Sequence, residues 1–313
     1  MVDLPKLYSF YLHASQAIIF VTERDLIMEF SVVITTYNRP DYLELSLKSV
    51  LEQLVQPREI IIVDDNSSKS YASVLSKFDD IRIRYIKQPL SGGANVARNR
   101  GVVESNSDVI AFLDDDDIWL PEYLAHHREK YLSGAEAVVS GFKHLGNESK
   151  VKVNKDSKVT KSSLVRGNHY CGMSGFSAKR ELLLEMSFDE TLNNGQDWDM
   201  YVRLYERNIS FVNINIPIFL YRFQNEDGIG AKVRKMKPSD IDKRLGSARK
   251  HKDFLGDYWF KKRICEQVLF SLKHKDSKVA WIKKAIKIAG YRATLTFFLD
   301  GVKRKLSTRL GTF

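Results

Sequence analysis

The sequence predicts an α/β protein whose mostly parallel, twisted sheet is flanked by helices and followed by a basic helical appendage. From Phe30 onward, short β-branched runs alternate with segments of helical periodicity, which is the pattern of a parallel sheet. Several of these runs end in polar residues, and an open α/β sheet binds ligands outside the carboxyl ends of its strands. After about Pro238 the chain has helical periodicity and basic character, without a strand signal.

Four strands are predicted in the first part of the chain, at 31–35, 59–63, 81–86 and 108–113. After the first strand, residues 41–54 place leucine and valine at helical spacing, and Pro40 suits the first turn of that helix. The polar runs TYN, DDNS and DDDD follow the first, second and fourth strands. Because carboxyl ends of parallel strands meet at one edge of a sheet, these three clusters are expected to converge.

Further strands are predicted at 135–142, 173–177, 211–214 and 218–222. A helix is predicted at 197–207, directly after the turn at Gly195. The polar, lysine-rich residues 146–163 are expected to form a hairpin or a mobile loop. These elements would complete a single large α/β domain.

Three regions are expected along the chain, namely an N-terminal extension at 1–28, a catalytic domain at 29–228 and a basic helical region at 229–313. Because Met28 stands just before the first strand, residues 1–27 are expected to lie upstream of a natural start. The formal net charge is +10, and residues 231–313 carry 23 Lys and Arg against 7 Asp and Glu. The excess positive charge therefore belongs to the helical region.

Cysteine content and hydropathy suggest where the protein works. Cys171 and Cys265 lie far apart and provide neither a disulfide framework nor a paired metal-ligand spacing, so a reducing cytosol is expected. The sequence contains no run of roughly 18 uncharged apolar residues, so we do not expect an integral membrane protein. No recognised nucleic-acid-binding motif accompanies the basic charge, and nucleic acid is not an expected partner.

The run FLDDDDIW at 112–119 is the main candidate for chemistry. In an extended chain Asp114 and Asp116 project to the same side, so they form a natural pair. Mg²⁺ and Mn²⁺ favour one or two carboxylates together with substrate phosphate oxygens, and Asp116 is the predicted direct ligand. The alternative is a solvated acidic turn, but four adjacent like charges repel and are better explained by a bound cation.

Five segments in order resemble family 2 of the glycosyltransferases, which have the GT-A fold. They are FSVVITTYNRPDYLELSLKSVLEQ, EIIIVDDNSS, SGGANVARNRG, FLDDDDIW and NGQDWDMYVRL. The resemblance covers about residues 29–225. It implies an inverting, hexosyltransferase-like enzyme that uses a divalent cation, Mg²⁺ or Mn²⁺. It further implies a UDP- or dTDP-sugar donor, a saccharide or lipid-linked saccharide acceptor, and a role in bacterial surface polysaccharide assembly.

The resemblance also implies roles for individual residues. The donor nucleotide would be bound by Thr35, Tyr37, Asn38, Arg39, Asp64, Asp65, Arg98, Asp114 and Asp115. Within this set, Thr35 and Tyr37 would flank the nucleobase. Asp65, with Asp64 as a second candidate, would accept a hydrogen bond from the pyrimidine. Asp197 matches the general base of the family, although the residue before it is more often Glu than the Gln196 found here.

Each of these assignments has a structural alternative. Thr35 and Tyr37 could be strand-end packing residues, Arg98 a solvated helix residue, and Asp197 an acidic residue of a first helical turn. Asp199 is expected to have only that last, structural role. Trp119 and Trp198 flank the two carboxylate sites and could either stack on sugar rings or pack in the core.

Two other functions share parts of the pattern. A sugar-nucleotide pyrophosphorylase of related fold would require a Gly-rich, Arg-containing loop after the first strand, where this chain reads TTYNRPD. A non-catalytic sugar-nucleotide binding module would bind nucleotide and metal but release no nucleotide on addition of acceptor. His126 and His127 are adjacent on a predicted helix and are interpreted as surface or packing residues.

The basic region contains an amphipathic segment at 279–291. Its predicted apolar face holds Val279, Ile282, Ile286 and Ala289, with lysines around it. Such a helix could lie on an anionic membrane, which would make the protein peripheral at the inner face of the plasma membrane. It could equally pack its apolar face on the catalytic domain and leave its lysines solvated.

Overall fold

The computed structural model describes residues 7–10, 19–22, 28–223 and 233–309 of the chain. Its first two segments are the strands β1 (Leu7–Phe10) and β2 (Ile19–Thr22), which pair antiparallel. Most of the predicted N-terminal extension, and the predicted boundary between residues 228 and 229, lie outside the described residues.

Four parallel strands form one half of a nine-stranded sheet, in the spatial order β5-β4-β3-β6. They are β3 (Phe30–Thr36), β4 (Glu59–Asp64), β5 (Ile83–Lys87) and β6 (Val109–Asp114). They are connected by α1 (Pro40–Leu51), α2 (Ala72–Leu75) and α3 (Ala94–Glu104). Strands β3, β4 and β6 are buried along almost their whole length, as parallel strands covered on both faces should be. All four predicted strands are confirmed, with ends shifted by at most two residues.

The other half of the sheet is mixed. It contains β7 (Ile118–Trp119), β8 (Ala137–His144), β9 (Asn147–Lys152), β10 (Phe176–Lys179) and β11 (Phe211–Tyr221). β10 pairs antiparallel with both β6 and β8, and β11 runs parallel to β8 and antiparallel to β7. Of the two alternatives for residues 146–163, the hairpin is confirmed for the first part, because β9 pairs back on β8. From Lys161 onward the chain is helical instead.

The strand predicted at 173–177 is wrong in its first half. Residues Met173–Gly175 form a 3₁₀ turn, and β10 begins only at Phe176. Gly175 packs so closely that a Cβ atom there would lie 2.6 Å from the Phe219 ring and 2.7 Å from Cys171 Sγ. This tight turn has no periodicity that the sequence could reveal.

The two strands predicted at 211–214 and 218–222 are a single strand, β11. Its register against β8 shifts between Ile214 and Pro217 and again between Pro217 and Phe219. Proline cannot donate to the ladder, so it is tolerated only at an irregularity of this kind. The strand is therefore bent at Pro217 rather than ended there.

The remaining helices before the gap are α4 (Tyr123–Leu132), α5 (Lys161–Arg166), α6 (Arg180–Met186) and α7 (Gln196–Glu206). α7 confirms the helix predicted at 197–207 and starts from Gly195, which has a left-handed backbone with φ of 67°. Glycine adopts this conformation without steric cost, so the chain can turn sharply into the helix. The side chains of Gln196 and Asp197 are thereby presented at the first turn of α7.

The described residues from 233 onward form helices and no strand, as predicted. They comprise a 3₁₀ helix at Pro238–Arg244, then α8 (Gly246–Lys250), α9 (Lys252–Val268), a 3₁₀ turn at Leu272–His274, α10 (Lys278–Ala289) and α11 (Tyr291–Arg309). α9 is kinked at Gly256, whose φ of 67° is not helical. None of the helices in the described ranges is long and apolar enough to cross a membrane.

The helical region has a core of its own and is attached to the sheet domain through α9. Its core contains Ile264, Cys265, Trp281 and Ala285, all at most 2% exposed. At the other end of α9, Phe254 and Leu255 belong to the large core that surrounds the sheet. One helix therefore contributes to both cores.

The buried face of α10 differs from the predicted one. Trp281, Ala285 and Ala289 face the core of the helical region, whereas Val279 and Ile286 are 64% and 38% exposed. The bulky Trp281 is 2% exposed, so the face of the helix that carries it is the buried one. Of the predicted apolar face, only Ala289 is fully buried and Ile282 partly buried.

Candidate active site

The carboxyl ends of β3, β4 and β6 lie side by side, as predicted. Thr35 at the end of β3 pairs with Asp114 at the end of β6, and Thr36 pairs with Asp64 at the end of β4. The hydroxyl of Thr35 also donates to Asp114 Oδ1 at 3.5 Å. The two predicted acidic clusters, which follow β4 and β6, are therefore separated by a single strand, β3.

The four aspartates that follow β6 alternate between two environments. The side chains of Asp114 and Asp116 are 33% and 18% exposed, whereas the Asp115 side chain is 5% exposed and Asp117 is also buried. This alternation agrees with the prediction that Asp114 and Asp116 project to the same side. Asp117 accepts a 2.8 Å hydrogen bond from the backbone N–H of Arg222, so it ties the run to the end of β11.

Each of the other three aspartates is held by a specific donor. Arg98 Nη2 lies 2.7 Å from Asp114 Oδ1, and Arg39 Nη1 lies 2.9 Å from Asp116 Oδ2. Arg39 Nη1 also approaches Asp115 at 3.3 Å, while the Thr36 hydroxyl donates to Asp115 at 2.7 Å. Arg39 lies at the start of α1 and Arg98 lies in α3, so the flanking helices fix the geometry of the run.

Burial and mutual repulsion make these carboxyls harder to ionise. Burial raises the pKa of Asp115 to about 7, and the neighbouring Asp116 adds to the rise against the opposing effect of Thr36 and Arg39. Burial likewise raises the pKa of Asp116, with Asp114 as the next cause. The pKa of Asp117 is raised well above its usual range by burial and by Asp116. A bound cation would relieve this repulsion.

The donor set at this edge fits a divalent cation only together with a substrate. Within residues 28–223 and 233–303, no three histidine, cysteine or acidic side chains are arranged to hold a metal by themselves. Asp114 and Asp116 provide two accessible carboxylates on one side of the chain. Mg²⁺ commonly takes one or two carboxylates and completes its octahedron with phosphate oxygens and water, and this set matches that requirement.

Asp64 and Asp65, the predicted nucleobase acceptors, are both buried and both hydrogen-bonded. Asp64 accepts from the backbone N–H of Ser67 at 2.8 Å and from the Tyr85 hydroxyl at 2.6 Å. Asp65 accepts four hydrogen bonds of 2.7–2.9 Å, from Gln88, Ser91, Gly92 and Gly93. Since an ionised carboxylate has about four acceptor sites, a nucleobase would have to replace one of these donors.

The other predicted donor residues differ in their availability. Tyr37 is 50% exposed beside the acidic run, so its ring is accessible to a ligand. Asn38 has a left-handed backbone with φ of 58°, and its side-chain oxygen accepts from the backbone N–H groups of Ser68 and Lys69. Asn38 therefore shapes the turn after β3 and joins it to the loop after β4.

Arg98 links the acidic run to the start of α7. Its side chain is buried, with Nη2 donating to Asp114 and Nη1 donating to Asn95 Oδ1 at 3.2 Å and to Gln196 Oε1 at 3.3 Å. Arg98 is therefore not a solvated helix residue. Gln196, which stands where the family more often has Glu, accepts the hydrogen bond from Arg98 Nη1.

Asp197, the predicted base, is partly buried and held in place at both oxygens. Asn168 Nδ2 donates to Oδ2 at 2.6 Å, and the backbone N–H of Trp198 donates to Oδ1 at 2.7 Å. Burial raises the pKa of Tyr221, and Asp117, Asp116, Asp114 and Asp197 each add to the rise. The acidic run and Asp197 therefore lie within electrostatic reach of one tyrosine, at one edge of the sheet.

Asp199 has a role that the sequence did not indicate. It is buried and accepts from Arg203 Nε at 3.0 Å within α7, but also from His251 Nε2 at 2.7 Å and Lys250 Nζ at 2.9 Å. The last two residues belong to the C-terminal helical region. Asp199 thus fixes α7 to that region instead of merely stabilising a helical turn.

The two tryptophans are core residues, which decides between their two alternatives. Trp119 is 2% exposed, stacks on Tyr123 with a centroid distance of 4.0 Å and donates from Nε1 to the carbonyl of Ser174. Trp198 is fully buried and donates to the carbonyl of Leu164 at 2.8 Å. Neither ring is available to stack on a sugar.

Several residues of this site were missed by sequence reasoning. Asn168 holds Asp197, Arg222 closes the acidic run, and Lys152 and Arg263 lie within electrostatic reach of Asp197. They come from a loop, from the end of β11, from β9 and from α9. No motif or spacing marks them, because only the tertiary fold brings these segments together.

Comparison with known proteins identifies relatives for much of the chain. Residues 31–188 match the family described as glycosyl transferase family 2. The GalNAc(5)-diNAcBac-PP-undecaprenol beta-1,3-glucosyltransferase of Campylobacter jejuni is 30% identical over 210 residues, which is 64% of this chain and 67% of that protein.

Solved structures resemble the fold at low sequence identity. Residues 1–349 of S. aureus TarS, crystallised with UDP-GlcNAc, align with a TM-score of 0.56 and 17% identity, over 83% of this chain and 71% of that one. The mannosyltransferase PcManGT of Pyrobaculum calidifontis, in complex with GDP-Man and Mn²⁺, aligns with the same TM-score and identity over 90% of this chain and 80% of that one. At these identities the likeness shows the fold alone.

Proposed function

The chain belongs to glycosyl transferase family 2 and has the GT-A fold, and we propose from this premise that it is a metal-dependent, inverting, hexosyltransferase-like enzyme. It would move a sugar from a nucleotide-diphospho-sugar to an acceptor hydroxyl. The observation that carries the proposal is that the buried Arg98 donates to Asp114 at 2.7 Å and to Gln196, directly before Asp197, at 3.3 Å. A diphosphate-binding group and a candidate base at one edge of the sheet are the two parts that an inverting transfer needs.

In this proposal the donor nucleotide lies along the ends of β3 and β4. The proposed nucleotide-binding residues are Thr35, Tyr37, Asn38, Arg39, Asp64, Asp65, Arg98, Asp114 and Asp115. The exposed ring of Tyr37 is available to the base, and Asn38 supports the turn that carries it. UDP-GlcNAc and GDP-Man bound to the two solved neighbours support a nucleotide-sugar, and we propose a UDP- or dTDP-sugar.

Asp116 and Asp114 are the proposed ligands of Mg²⁺ or Mn²⁺. The cation, when bound, would neutralise the negative charge of the departing diphosphate. The protein's own contribution is to orient these carboxylates, since Arg39 and Arg98 hold them at 2.9 and 2.7 Å. The Mn²⁺ bound to PcManGT supports a divalent cation in a protein of this fold.

Asp197 is the proposed general base. Asn168 donates to Oδ2 and the backbone of Trp198 to Oδ1, so the carboxylate is fixed while lone pairs remain for an acceptor hydroxyl. Asp197 would take the hydroxyl proton as the acceptor oxygen bonds to the anomeric carbon of the sugar. On the opposite face the bond to the diphosphate breaks, and the nucleoside diphosphate leaves with the electron pair.

We further propose a saccharide or lipid-linked saccharide acceptor, in bacterial surface polysaccharide assembly. The Campylobacter relative supports it, because its name describes an undecaprenol-linked acceptor. On α11, the residues Leu295, Phe298, Leu299 and Val302 form one stripe and are 38–56% exposed. With the basic charge of this region, the stripe supports peripheral binding at the inner, cytoplasmic face of an anionic plasma membrane.

The membrane part of the proposal has its own test. Sedimentation of the full chain with anionic and with neutral liposomes should show binding to the anionic vesicles only, strongest at low salt. A variant with Leu295, Phe298 and Leu299 changed to Ser should bind at least tenfold more weakly. If the unaltered chain stays in the supernatant with anionic vesicles at low salt, the protein is not a peripheral membrane protein. The proposed helical region at 229–313 would then serve the proposed catalytic domain at 29–228 in a way other than membrane binding.

The transferase proposal is tested by nucleotide release. Sugar nucleotides are first screened with and without Mn²⁺ for those that raise the melting temperature. The best donor is then incubated with candidate acceptors, and free nucleoside diphosphate is measured. Release that depends on acceptor supports the transferase. Metal-dependent binding without acceptor-dependent release would identify a binding module, and pyrophosphate release from a nucleoside triphosphate and a sugar phosphate would identify a pyrophosphorylase.

A further inference from the structure

Arg263 belongs to the helical region but lies against the first turn of α7. It is part of α9, and the central carbon of its guanidinium lies 3.6 Å from the centroid of the Trp198 ring. Trp198 directly follows Asp197, the proposed base. The planar guanidinium is therefore stacked on the indole of the neighbouring residue, which is a favourable cation–π arrangement.

The indole that Arg263 stacks on is itself fixed. Trp198 is fully buried, and its Nε1 donates to the carbonyl of Leu164 at 2.8 Å. The ring of His251 packs edge-on against it, with a centroid distance of 5.3 Å. Because close packing leaves this ring little room to shift, the guanidinium stacked on it has a defined position beside the first turn of α7.

The two terminal nitrogens of Arg263 lie near two glycine turns. A Cβ atom at Gly167 would lie 3.4 Å from Nη1, and one at Gly195 would lie 4.0 Å from Nη2. Gly167 directly precedes Asn168, whose side-chain amide donates to Asp197 at 2.6 Å. Gly195 is the left-handed residue from which α7 begins. Arg263 therefore lies beside both the loop that holds the proposed base and the helical turn that carries it.

Asp197 and Arg263 also attract each other through their charges. Burial lowers the pKa of Arg263 to about 10, and Asp197 and then Glu266 oppose this change. The guanidinium therefore stays charged near neutral pH. Lys152 of β9 is another cation on which Asp197 acts, and its ammonium donates to the carbonyl of Asn168 at 3.1 Å. The proposed base thus has cations within electrostatic reach on both β9 and α9.

The position of the Asp197 carboxylate depends on two separate segments. Asn168, in the loop after α5, donates to Oδ2, and the backbone N–H of Trp198, in α7, donates to Oδ1. The distance between these segments therefore determines where the carboxylate lies. Since Arg263 stacks on Trp198 and also approaches Gly167, its side chain keeps the two segments at a fixed spacing.

We propose that Arg263 is a positioning residue, which holds the carboxylate of Asp197 where it can accept the proton of the acceptor hydroxyl. This inference rests on the proposed function and adds to it a residue of the helical region. The helical region then contributes to the reaction without touching the substrate. Because a displacement of about 1 Å can lower a rate about 100-fold, the spacing set by one side chain is enough to matter.

A double-mutant cycle tests whether Arg263 acts through Asp197. Acceptor-dependent nucleotide release at saturating donor is measured for the unaltered chain, Arg263→Met, Asp197→Asn and the double variant. Arg263→Met alone should lower kcat about 20-fold and leave donor affinity within about twofold. In the Asp197→Asn background the same change should cost less than about twofold, since no base remains to be positioned. Equal losses in the two backgrounds, or full kcat in Arg263→Met, overturn the inference.

Two further variants separate positioning from mere attachment of the helical region. Arg263→Lys keeps the charge but not the planar stack, so it should lose about fivefold in kcat. Arg244→Met is the matched control, because Arg244 Nη2 donates to Asn194 Oδ1 at 2.8 Å and ties the same region to the turn before α7. Its kcat should stay within about threefold of the unaltered chain. If Arg244→Met loses as much as Arg263→Met, attachment alone explains the effect and the inference is wrong.

A second cycle needs neither donor nor acceptor. The same four proteins are unfolded with urea at pH 7, and their midpoints are compared. Because Arg263 and Asp197 attract each other, the double variant should lose less than the sum of the two single losses. Additive losses overturn the inference even where turnover is intact. If the unaltered chain releases no nucleotide on addition of any acceptor while the midpoints show coupling, the proposed function fails and the contact between the two residues stands.

Discussion

Arg98 Nη2 donates a 2.7 Å hydrogen bond to Asp114 Oδ1, across the 15 residues that separate the two positions in the chain. The same guanidinium reaches Gln196 Oε1 at 3.3 Å, next to Asp197. A single buried side chain therefore connects a proposed ligand of the cation with the helix that carries the proposed base. A shift of Asp114 on donor binding would therefore also move Arg98 and its partner Gln196 at the first turn of α7.

Arg98→Met is expected to lower kcat/KM about 100-fold, because it removes a charged hydrogen bond to Asp114 and the support of Gln196. Steady-state kinetics with varied donor measure it. Arg100→Met is the matched control, since Arg100 is exposed on the same helix and pairs with Glu104 instead of the acidic run. Equal losses in both variants would mean that Arg98 matters through the helix and not through Asp114.

Asp116→Asn is expected to abolish the extra thermal stabilisation that Mn²⁺ gives in the presence of UDP, because one of two proposed ligands is lost. The measurement is the melting temperature with UDP, with and without Mn²⁺. Asp79→Asn removes an exposed carboxylate that is not part of the acidic run, and this variant should behave like the unaltered protein. If the metal-dependent shift survives in Asp116→Asn, the ligand assignment is wrong.

Asp197→Asn is expected to lower kcat about 1,000-fold and leave the affinity for donor within twofold, because only the proton acceptor is lost. Rapid measurement of nucleotide release and equilibrium donor titration separate the two effects. Asn168→Ala should lower kcat about tenfold, since the carboxylate then loses its 2.6 Å donor but keeps its charge. Full turnover in Asp197→Asn would exclude this residue as the base.

The acidic run and the strand ends could be predicted because they depend on patterns among residues that are neighbours in the sequence. Alternating β-branched runs fix β3, β4 and β6, and parallel pairing then brings Thr35 and Asp114 together. The contacts of Arg263 and Asn168 depend instead on how α9 and a loop pack beside α7. The buried face of α10 depends on Trp281 filling a core that the helical pattern alone does not define.

Asp199 supports a prediction about acid stability. Burial disfavours its charge, but hydrogen bonds from His251 and charge from Arg203 and Lys250 outweigh this and hold its pKa below the usual value of 3.8. A depressed carboxyl pKa contributes stability that is present above the ordinary pKa and is lost as the pH falls through the folded-state value. The attachment of α7 to the helical region should therefore weaken below about pH 4.

Asp199→Asn is expected to reduce the free energy of unfolding at pH 7 by about 3 kcal/mol, because the partly buried Arg203 and the buried His251 then lose the carboxylate that accepts from them. Urea unfolding at pH 7 and pH 3 measures it, and the deficit should shrink at pH 3. Asp189→Asn is the control, since Asp189 also pairs with Lys250 but is more exposed, and its effect should be smaller. A deficit that does not change with pH would show that the charge of Asp199 is not the cause.

His127 is a buried base that the core keeps neutral, in contrast to Asp199, a buried carboxylate that its partners keep charged. It is fully buried, stacks on Tyr123 and makes a 2.7 Å hydrogen bond to Ser177 through Nδ1. Burial lowers the pKa of His127 to about 3, with a smaller effect of His126. Its buried Nε2 has no hydrogen-bond partner in the part of the chain that the structure describes, so a second ring proton would have no acceptor there.

The sign of the pH effect follows from proton counting. Between pH 6.5 and 3 the unfolded chain binds a proton at His127 and the folded chain does not, so stability falls as the pH falls. The slope approaches about 1.4 kcal/mol per pH unit, or about 2 kcal/mol from pH 6.5 to 5. We expect the free energy of unfolding, measured with urea at several pH values, to depend less steeply on pH in His127→Phe than in the unaltered chain, by this amount. The phenyl ring keeps the stacking and cannot titrate. His126→Phe should leave the slope almost unchanged. Parallel pH profiles for the unaltered chain and His127→Phe would mean that the buried ring takes up its proton without unfolding.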